Sequence, residues 1–373
     1  MNYVHIAGTN GKGSVTEYIY RILMAAGHSA GCFTSPHLVS PTERMRIDER
    51  MVGEDELDAL LKEVASKRLA VNDTLFAAYT AAALLWFERQ GAEYAVIETG
   101  IGGRHDSTNV IMPSVSVLTP ISYDHMAILG DTLSQIAYDK SGIIKPGVPV
   151  ISADQPDEAM TVIQVESRKM NAALTVAPCV DIVSASVAGQ TFLLEDKEYA
   201  IRAIGHHQPD NAALAVKVAQ TLGISDHAIR KGLNAAVLRC RTQFIPGKTD
   251  ILIDGAHNAA AAQALCASMD DYFADRKKVL LFACMKDKDY SPMIRALAPY
   301  FSQVIVTSVA MEREASPDLL CEQFSAYTQC TVQPDTLTAF KQAKAAARDA
   351  GAMLVVCGSF YLAGLIEPLA VND

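Results

Sequence analysis

The stretch VHIAGTNGKGSVTEYIYRIL, Val4 to Leu23, sets Gly8, Thr9, Asn10, Gly11, Lys12, Gly13 and Ser14 between two apolar runs. Those residue types at that spacing suit a phosphate. Glycines let the backbone curl and aim its N–H groups inward. Lys12 can reach terminal phosphates, and the Ser14 hydroxyl can hold a magnesium ion. The spelling departs from the common G-x-x-x-x-G-K-[ST] loop, because a glycine separates the lysine from the serine. Its flanks favour the phosphate reading. Val4, Ile6 and Ala7 read as a buried strand, and Val15, Tyr18, Ile19, Ile22, Leu23 and Ala26 recur at helical spacing. The positive end of that helix then faces the phosphate. The alternative is a tight glycine turn carrying a surface lysine.

Other polar residues end apolar runs in the same way. Glu98 closes the strand-like YAVIE, where a carboxylate can hold magnesium; a solvated strand-end acid is the other reading. Lys140, in IAYDKSGI, reads locally as a cation in a helix's last turn, with Gly142 as C-cap.

The elements that would position these residues alternate. YAVIETG, SVSVLTP and GVPVISA read as strands, and Ala77–Gln90 as a helix. That alternation predicts an α/β fold with a mostly parallel sheet covered on both faces. A second alternating block starts near Thr249, with strands in TDILIDGAHN, KVLLFACMKDKD, QVIVTS and AMLVVCGSF. The polar segment Leu238–Asp250 is the expected boundary, giving domains 1–240 and 241–373. No fixed-period repeat stands out.

With 373 residues, two or three domains are expected. A net charge of −10 argues against nucleic acid or an anionic membrane as partner. No apolar run is long enough to span a membrane, and the strand begins too early for a signal peptide. Eight cysteines without a C-x-x-C pair point to reduced thiols in a cytoplasm.

AGTNGKGS, TSPHLVSPTERMRI, ETGIGGRHDSTNV, DHMAILGDTLSQIAYDKSGIIKPGVPV, HHQPDNAALA, DGAHN, KDKD and GSFYL run in order over nearly the whole chain. Together they resemble the folylpolyglutamate synthase and dihydrofolate synthase family of the Mur ligase superfamily. GTNGKGS is that superfamily's form of the P-loop. The resemblance implies a P-loop ATPase domain followed by a smaller Rossmann-like α/β domain. It implies an ATP-dependent ligase in which a carboxylate attacks the γ-phosphate, and the amine of L-glutamate then attacks the acyl phosphate. The substrates would be folate or dihydropteroate, glutamate and ATP, in a cytoplasmic monomer. A same-fold ligase using a non-folate carboxylic acid is the alternative, and a nucleotide-dependent switch or kinase is a further one.

The resemblance also assigns roles. Thr9 to Ser14 cradle ATP; Ser14 and Glu98 hold one magnesium; His125 and Ser35 match residues at a second. Lys140 matches a lysine that is carbamylated and supports the metal site. Gln208 and Asn211 match a nucleotide-side motif, Arg241 a linker arginine that reaches ATP phosphates, and Asp254, His257 and Asn258 the second domain's contribution. Helix capping is the plainer reading of Gln208 and Asn211, since Asp210–Asn211 opens an apolar helix.

Departures from the family pattern fall elsewhere. Cys240 replaces a glycine, Asp139 replaces a glutamate, and Ala77 stands where a glutamate often follows the phenylalanine. Family members usually carry a helical segment before the P-loop strand, so a more open pterin end is expected, with weak dihydropteroate binding or a preference for a folate already bearing glutamate. Arg44 and Arg46 then become candidates for an acceptor carboxylate; their alternative is a solvated loop pairing with Glu43 and Asp48.

Overall fold

The computed structural model describes residues 1–67 and 74–372. The chain divides into two compact units. The first takes Met1–Ser184, Gln190–Arg202 and Gln208–Val237, and the second Ala185–Gly189, Ala203–His207 and Leu238–Asp373.

The first unit opens with β1 (Asn2–Ala7), α1 (Lys12–Ala25), β2 (Ala30–Phe33), β3 (Met45–Ile47) and β4 (Arg50–Met51). Next come α2 (Glu54–Lys67), α3 (Leu75–Arg89), β5 (Tyr94–Glu98), β6 (Val115–Leu118), α4 (Met126–Leu129) and α5 (Leu133–Lys140). β7 (Val150–Ser152), α6 (Asp157–Lys169) and β8 (Leu174–Val176) complete the sheet's chain order. The eight strands lie in the order β4-β3-β2-β5-β1-β6-β7-β8. All neighbours from β2 to β8 are parallel, and β3 and β4 add an antiparallel edge. The parallel strands β1, β2, β5 and β6 are almost wholly buried, as strands covered on both faces must be. The P-loop strand is therefore central, flanked by β5 and β6, and their C-terminal ends are neighbours.

The antiparallel parts were not anticipated. Residues 181–201 form a three-stranded sheet of β9 (Asp181–Ser186), β10 (Gly189–Leu194) and β11 (Lys197–Ile201). Helices α7 (Gln208–Thr221) and α8 (Asp226–Ala235) follow. Helix α7 opens at Gln208, not at Asp210 as its polar pair suggested.

In the second unit come β12 (Gln243–Ile245), β13 (Ile251–Ile253), α9 (Ala259–Phe273), β14 (Lys278–Phe282), α10 (Tyr290–Leu297) and β15 (Gln303–Val306). α11 (Pro317–Ser325), β16 (Gln329–Val332), α12 (Thr336–Asp349), β17 (Met353–Cys357) and α13 (Phe360–Val371) end it. The sheet order is β12-β13-β17-β14-β15-β16, parallel except at β12. β12 lies inside the polar segment expected to be the boundary. Just before it, Cys240 takes the left-handed conformation, φ 54°, that its glycine counterpart would enter freely. No helix among the described residues is long and apolar enough to cross a membrane.

Arg46 is a correction. It is not a free loop cation, because it lies in the middle of β3, paired with Cys32 of β2. Its guanidinium donates to buried Glu17 at 2.6 Å and lies over the Tyr20 ring, while Arg21 takes the other Glu17 oxygen at 2.6 Å. Two arginines forking one buried carboxylate is how such a charge is tolerated. Arg44 donates to His37 Nδ1 at 2.9 Å and lies over the Tyr79 ring. Glu43 accepts from the backbone N–H groups of Leu38, Val39 and Ser40, and Asp48 accepts from Ala30 N and the Ser29 hydroxyl.

Candidate active site

The chain leaves β1 at Ala7 and enters α1 at Lys12, so Gly8 to Gly11 must turn sharply. Gly11 is the N-cap at φ 84°. A Cβ there would come within 2.5 Å of Asn211 Oδ1, so only glycine fits. The loop is tied to the segment after β6. The Thr9 and Asn10 N–H groups donate to Pro120 O at 3.0 and 3.3 Å. The Thr9 hydroxyl donates to Ser122 O and accepts from Ser122 N, each at 3.0 Å. Gly13 lies in the first turn of α1.

Ser14 is buried, and Gln208 Nε2 donates to its hydroxyl at 3.4 Å. Asn211 Nδ2 in turn donates to Gln208 Oε1 at 3.3 Å. The start of α7 therefore packs on the mouth of the loop. Residues 194 positions apart meet there, which neither motif reveals alone.

Two lysines converge on one carbonyl. Lys12 Nζ donates to Gly8 O at 3.0 Å and to Thr9 O at 3.2 Å. Lys140 Nζ donates to the same Gly8 O at 2.8 Å. Lys140 is only 4 % exposed. Burial first, and then the charge of Lys12, pull its ammonium down to about 7, against the opposing pull of Asp124, Asp139 and Asp106. Lys140 is thus not the surface cation of a helix end. Nor is Gly142 a left-handed cap: it sits in a 3-10 turn, Ser141–Ile143, with Ser141 as the cap residue.

The glycines of ETGIGGR seat this lysine. Gly103 N donates to Asp139 Oδ1, and Arg104 N to Asp139 O, both at 2.8 Å. A Cβ on Gly103 would lie 2.6 Å from Lys140 O and 3.0 Å from its Cα. Gly103→Ala is therefore expected to push the end of α5 away, costing about 1–3 kcal/mol and lowering turnover through Lys140. Melting and turnover unchanged from the parent would refute that packing role.

Glu98 ends β5 opposite Ile6 of β1 and is 2 % exposed. Ser35 N donates to its Oε2 at 3.3 Å, which brings the TSPHL loop to this carboxylate. His125 is at φ 51°, capping α4 with its backbone; its Nε2 lies 3.9 Å from Asp124 Oδ2, and its N donates to Asp124 Oδ1 at 2.8 Å. Among the described residues no group of three or more His, Cys, Asp or Glu side chains could hold a metal by itself. Magnesium needs no such cage. It is commonly bound through one or two carboxylates, with substrate phosphates and water completing the shell. The donors present are hard oxygens: Glu98, the Ser14 hydroxyl and two further hydroxyls. Thr99 and Thr119, at the ends of β5 and β6, are buried with no hydrogen-bond partner for Oγ1. Thr119 was read only as the start of a polar strand end, with no role for its hydroxyl, and Thr99 was missed, although it directly follows the apolar strand that singled out Glu98.

In the second unit, Asp254 follows β13. Its Oδ2 accepts from Thr242 N at 2.6 Å and Oγ1 at 3.1 Å, and its Oδ1 from Ala256 N at 2.7 Å. Burial nonetheless holds its carboxyl above the usual range. Asn258 caps α9, accepting from Ala261 N at 2.8 Å. His257 Nδ1 lies 2.8 Å from Gly255 O, an acceptor only, so Nδ1 carries the hydrogen. Its ring is 5.4 Å from that of Phe360, over which Arg241 also lies at 4.9 Å. DGAHN, Arg241 and the phenylalanine of GSFYL thus form one cluster.

The Mur ligase middle domain family matches residues 6–219, and the Mur ligase, glutamate ligase domain family matches residues 240–360. The chain is 34 % identical to the dihydrofolate synthase/folylpolyglutamate synthase of Bacillus subtilis, over 96 % of this chain and 87 % of that protein. The Mycobacterium tuberculosis folylpolyglutamate synthase complexed with ADP and AMPPCP superposes with a TM-score of 0.92 at 28 % identity, covering 100 % of this chain and 91 % of that one. The E. coli FolC in complex with DHPP and ADP gives 0.88 at 27 % identity, covering 99 % and 88 %. These matches run over most of the chain, and the chain belongs to the folylpolyglutamate synthase/dihydrofolate synthase family of ATP-dependent Mur-type ligases.

Proposed function

We propose that this protein joins L-glutamate to the carboxylate of a folate or of dihydropteroate at the expense of ATP. The acceptor carboxylate takes the γ-phosphoryl group, ADP leaves, and the glutamate amine displaces phosphate from the acyl phosphate. The carrying observation is the convergence of Lys12 and Lys140 on Gly8 O, at the mouth of the glycine loop. Phosphoryl transfer needs positioning and charge neutralisation more than covalent help. The loop supplies backbone N–H groups, and Lys12 a cation that leaves its carbonyls for the phosphates. Residues 1–240 serve as the ATP-binding domain and 241–373 as the ligase domain. In that domain Arg241, Asp254, His257 and Asn258 form the nucleotide-facing cluster, while Gln208 and Asn211 brace the loop.

In this reading Ser14 and Glu98 would hold one magnesium, and His125 and Ser35 a second. When bound, magnesium neutralises the phosphate charge that grows during transfer. Lys140 fits carbamylation, because an amine pulled down to about 7 is largely uncharged just above neutrality, and only the neutral amine adds carbon dioxide. The resulting anion would face Lys12, replacing a like-charge contact by an attractive one. Its remaining N–H keeps a donor for Gly8 O.

The test is ADP release over a panel of acceptors: dihydropteroate, tetrahydrofolate and unrelated aryl acids. Release should require both glutamate and a pterin acceptor; release with an aryl acid alone among the acceptors would refute the folate assignment. Glu98→Gln should raise the magnesium requirement and lower turnover, since it removes charge with little change in shape. A magnesium titration identical to the parent's would refute the metal role.

A further inference from the structure

Two residues beside Arg241 hold a backbone conformation that their side chains oppose. Cys240 is at φ 54° and Thr242 at φ 49°, both in the left-handed region. A Cβ is crowded there, and a β-branched residue such as threonine is an outlier. Both are buried, at 0 % and 1 % exposure. Strain of this kind persists only where the surroundings over-determine it. Arg241, between them, is half-buried. Its guanidinium lies 4.9 Å from the centre of the Phe360 ring and makes no hydrogen bond among the described residues. The strained turn thus presents a cation that is open to a ligand's oxygens.

Separate clamps hold the two ends of the turn. On one side, Asp254 Oδ2 accepts from Thr242 N at 2.6 Å and from its hydroxyl at 3.1 Å. On the other, Cys240 N donates to Gln243 Oε1 at 2.8 Å, and Cys240 O accepts from Gly255 N at 2.8 Å. Gln243 and Arg239 are in turn held by Glu367 of α13. Arg239 Nε and Nη2 donate to its two oxygens at 3.1 and 2.8 Å, and Gln243 Nε2 donates to Oε1 at 3.3 Å. Glu367 is 7 % exposed, and the Arg239 fork holds its carboxyl below the usual range against the effect of burial. One carboxylate therefore fixes the residue before Cys240 and the residue after Thr242. The same helix carries Phe360, about two turns earlier, against the Arg241 guanidinium.

We propose that Glu367 is a positioning residue: it locks residues 239–243 in the strained turn and so aims Arg241 at the nucleotide. This rests on the reading of Arg241 as a nucleotide-facing residue. Glu367 itself touches no substrate. Without its charge, Cys240 relaxes out of the left-handed region and carries Arg241 with it. A glycine at position 240 would stay in place, because it enters that region without a steric penalty.

The experiment titrates AMPPCP, a non-hydrolysable ATP analogue, with magnesium into the full chain by calorimetry. Glu367→Gln keeps the size of the side chain and should fold. Its affinity should fall roughly tenfold, about what one charge-assisted hydrogen bond to a phosphate contributes. Cys240→Gly, added to Glu367→Gln, should recover most of that loss. Arg241→Ala should lose at least as much, and Cys240→Gly should recover none of it. A purely structural role for Glu367 would lower the melting temperature and leave the lost affinity unmended by the glycine, and that result overturns the proposal. So does parent-like affinity in Glu367→Gln beside a weakened Arg241→Ala. Amide exchange in the nucleotide-free chain reads the turn directly. The Cys240 N–H should exchange faster in Glu367→Gln than in the parent, and an unchanged rate overturns the clamp. Parent-like affinity in Arg241→Ala, with the faster exchange present, overturns instead the reading of Arg241, and with it the aim.

Discussion

Lys12→Ala is expected to lower turnover by roughly 10²–10³-fold, because a single well-placed electrostatic group at a reacting centre contributes about 2.7–4 kcal/mol. The fold should survive. Lys12 is partly exposed and donates to two carbonyls of its own loop, Gly8 O and Thr9 O. Gly8 O still accepts from Lys140 when Lys12 is gone. The effect should therefore appear in turnover and not in melting temperature. A second readout follows from the shared carbonyl. Removing the Lys12 charge removes one of the two causes that hold Lys140 low, so the Lys140 ammonium should rise toward its ordinary value. Near-normal turnover in Lys12→Ala would mean that the glycine loop is only a turn.

Lys140→Ala is the second large expectation, a loss of turnover of similar size, about 10²-fold or more. If the group in use is a carbamate, a small carboxylate such as acetate should restore part of the activity, because it supplies the same anion in the vacated space. Lys140→Arg should not be rescued, since a guanidinium fills the space and stays charged. Parent-like turnover in Lys140→Ala, or rescue by ammonium salts but not by acetate, would refute the carbamate role.

The same lysine makes stability depend on pH in a defined direction. In carbon-dioxide-free buffer its folded value is about 7, below the ordinary 10.5 of the unfolded chain. Between those values the unfolded state binds the extra proton, so stability rises with pH from about 7 toward 10.5. Below 7 both states are protonated, and the cost of the buried charge is fully present. Lys140→Met should flatten this rise. Bicarbonate should stabilise the parent above pH 7 and have no such effect on the variant.

Much of the site could be read directly along the chain because its parts are local. Gly8 to Ser14 is one strand–loop–helix unit, and its glycines, lysine and serine announce the backbone conformation and the charge together. Glu98 was legible for a similar reason: an apolar strand that ends in an acid places that acid at the sheet's C-terminal edge. The alternation of buried runs and amphipathic stretches also carried the α/β class, since a parallel sheet demands helical crossovers. What remained hidden is long-range or depends on what a side chain meets. The antiparallel strands β9, β10 and β12 lie in polar stretches whose pairing comes from turns and neighbours rather than from an apolar run. Arg46 read as a candidate for an acceptor carboxylate, with a solvated loop as the alternative, but the register of β3 against β2 carries it to Glu17, and burial decides its partner. Lys140 looked like the cation of a helix end. Only the tertiary fold brings it across the chain to Gly8 O, removes its water and sets Lys12 beside it. Spacing along a sequence reports which groups share one element, whereas desolvation and like-charge proximity arise only when separate elements pack, and these turn an ordinary lysine into an amine that titrates near neutrality.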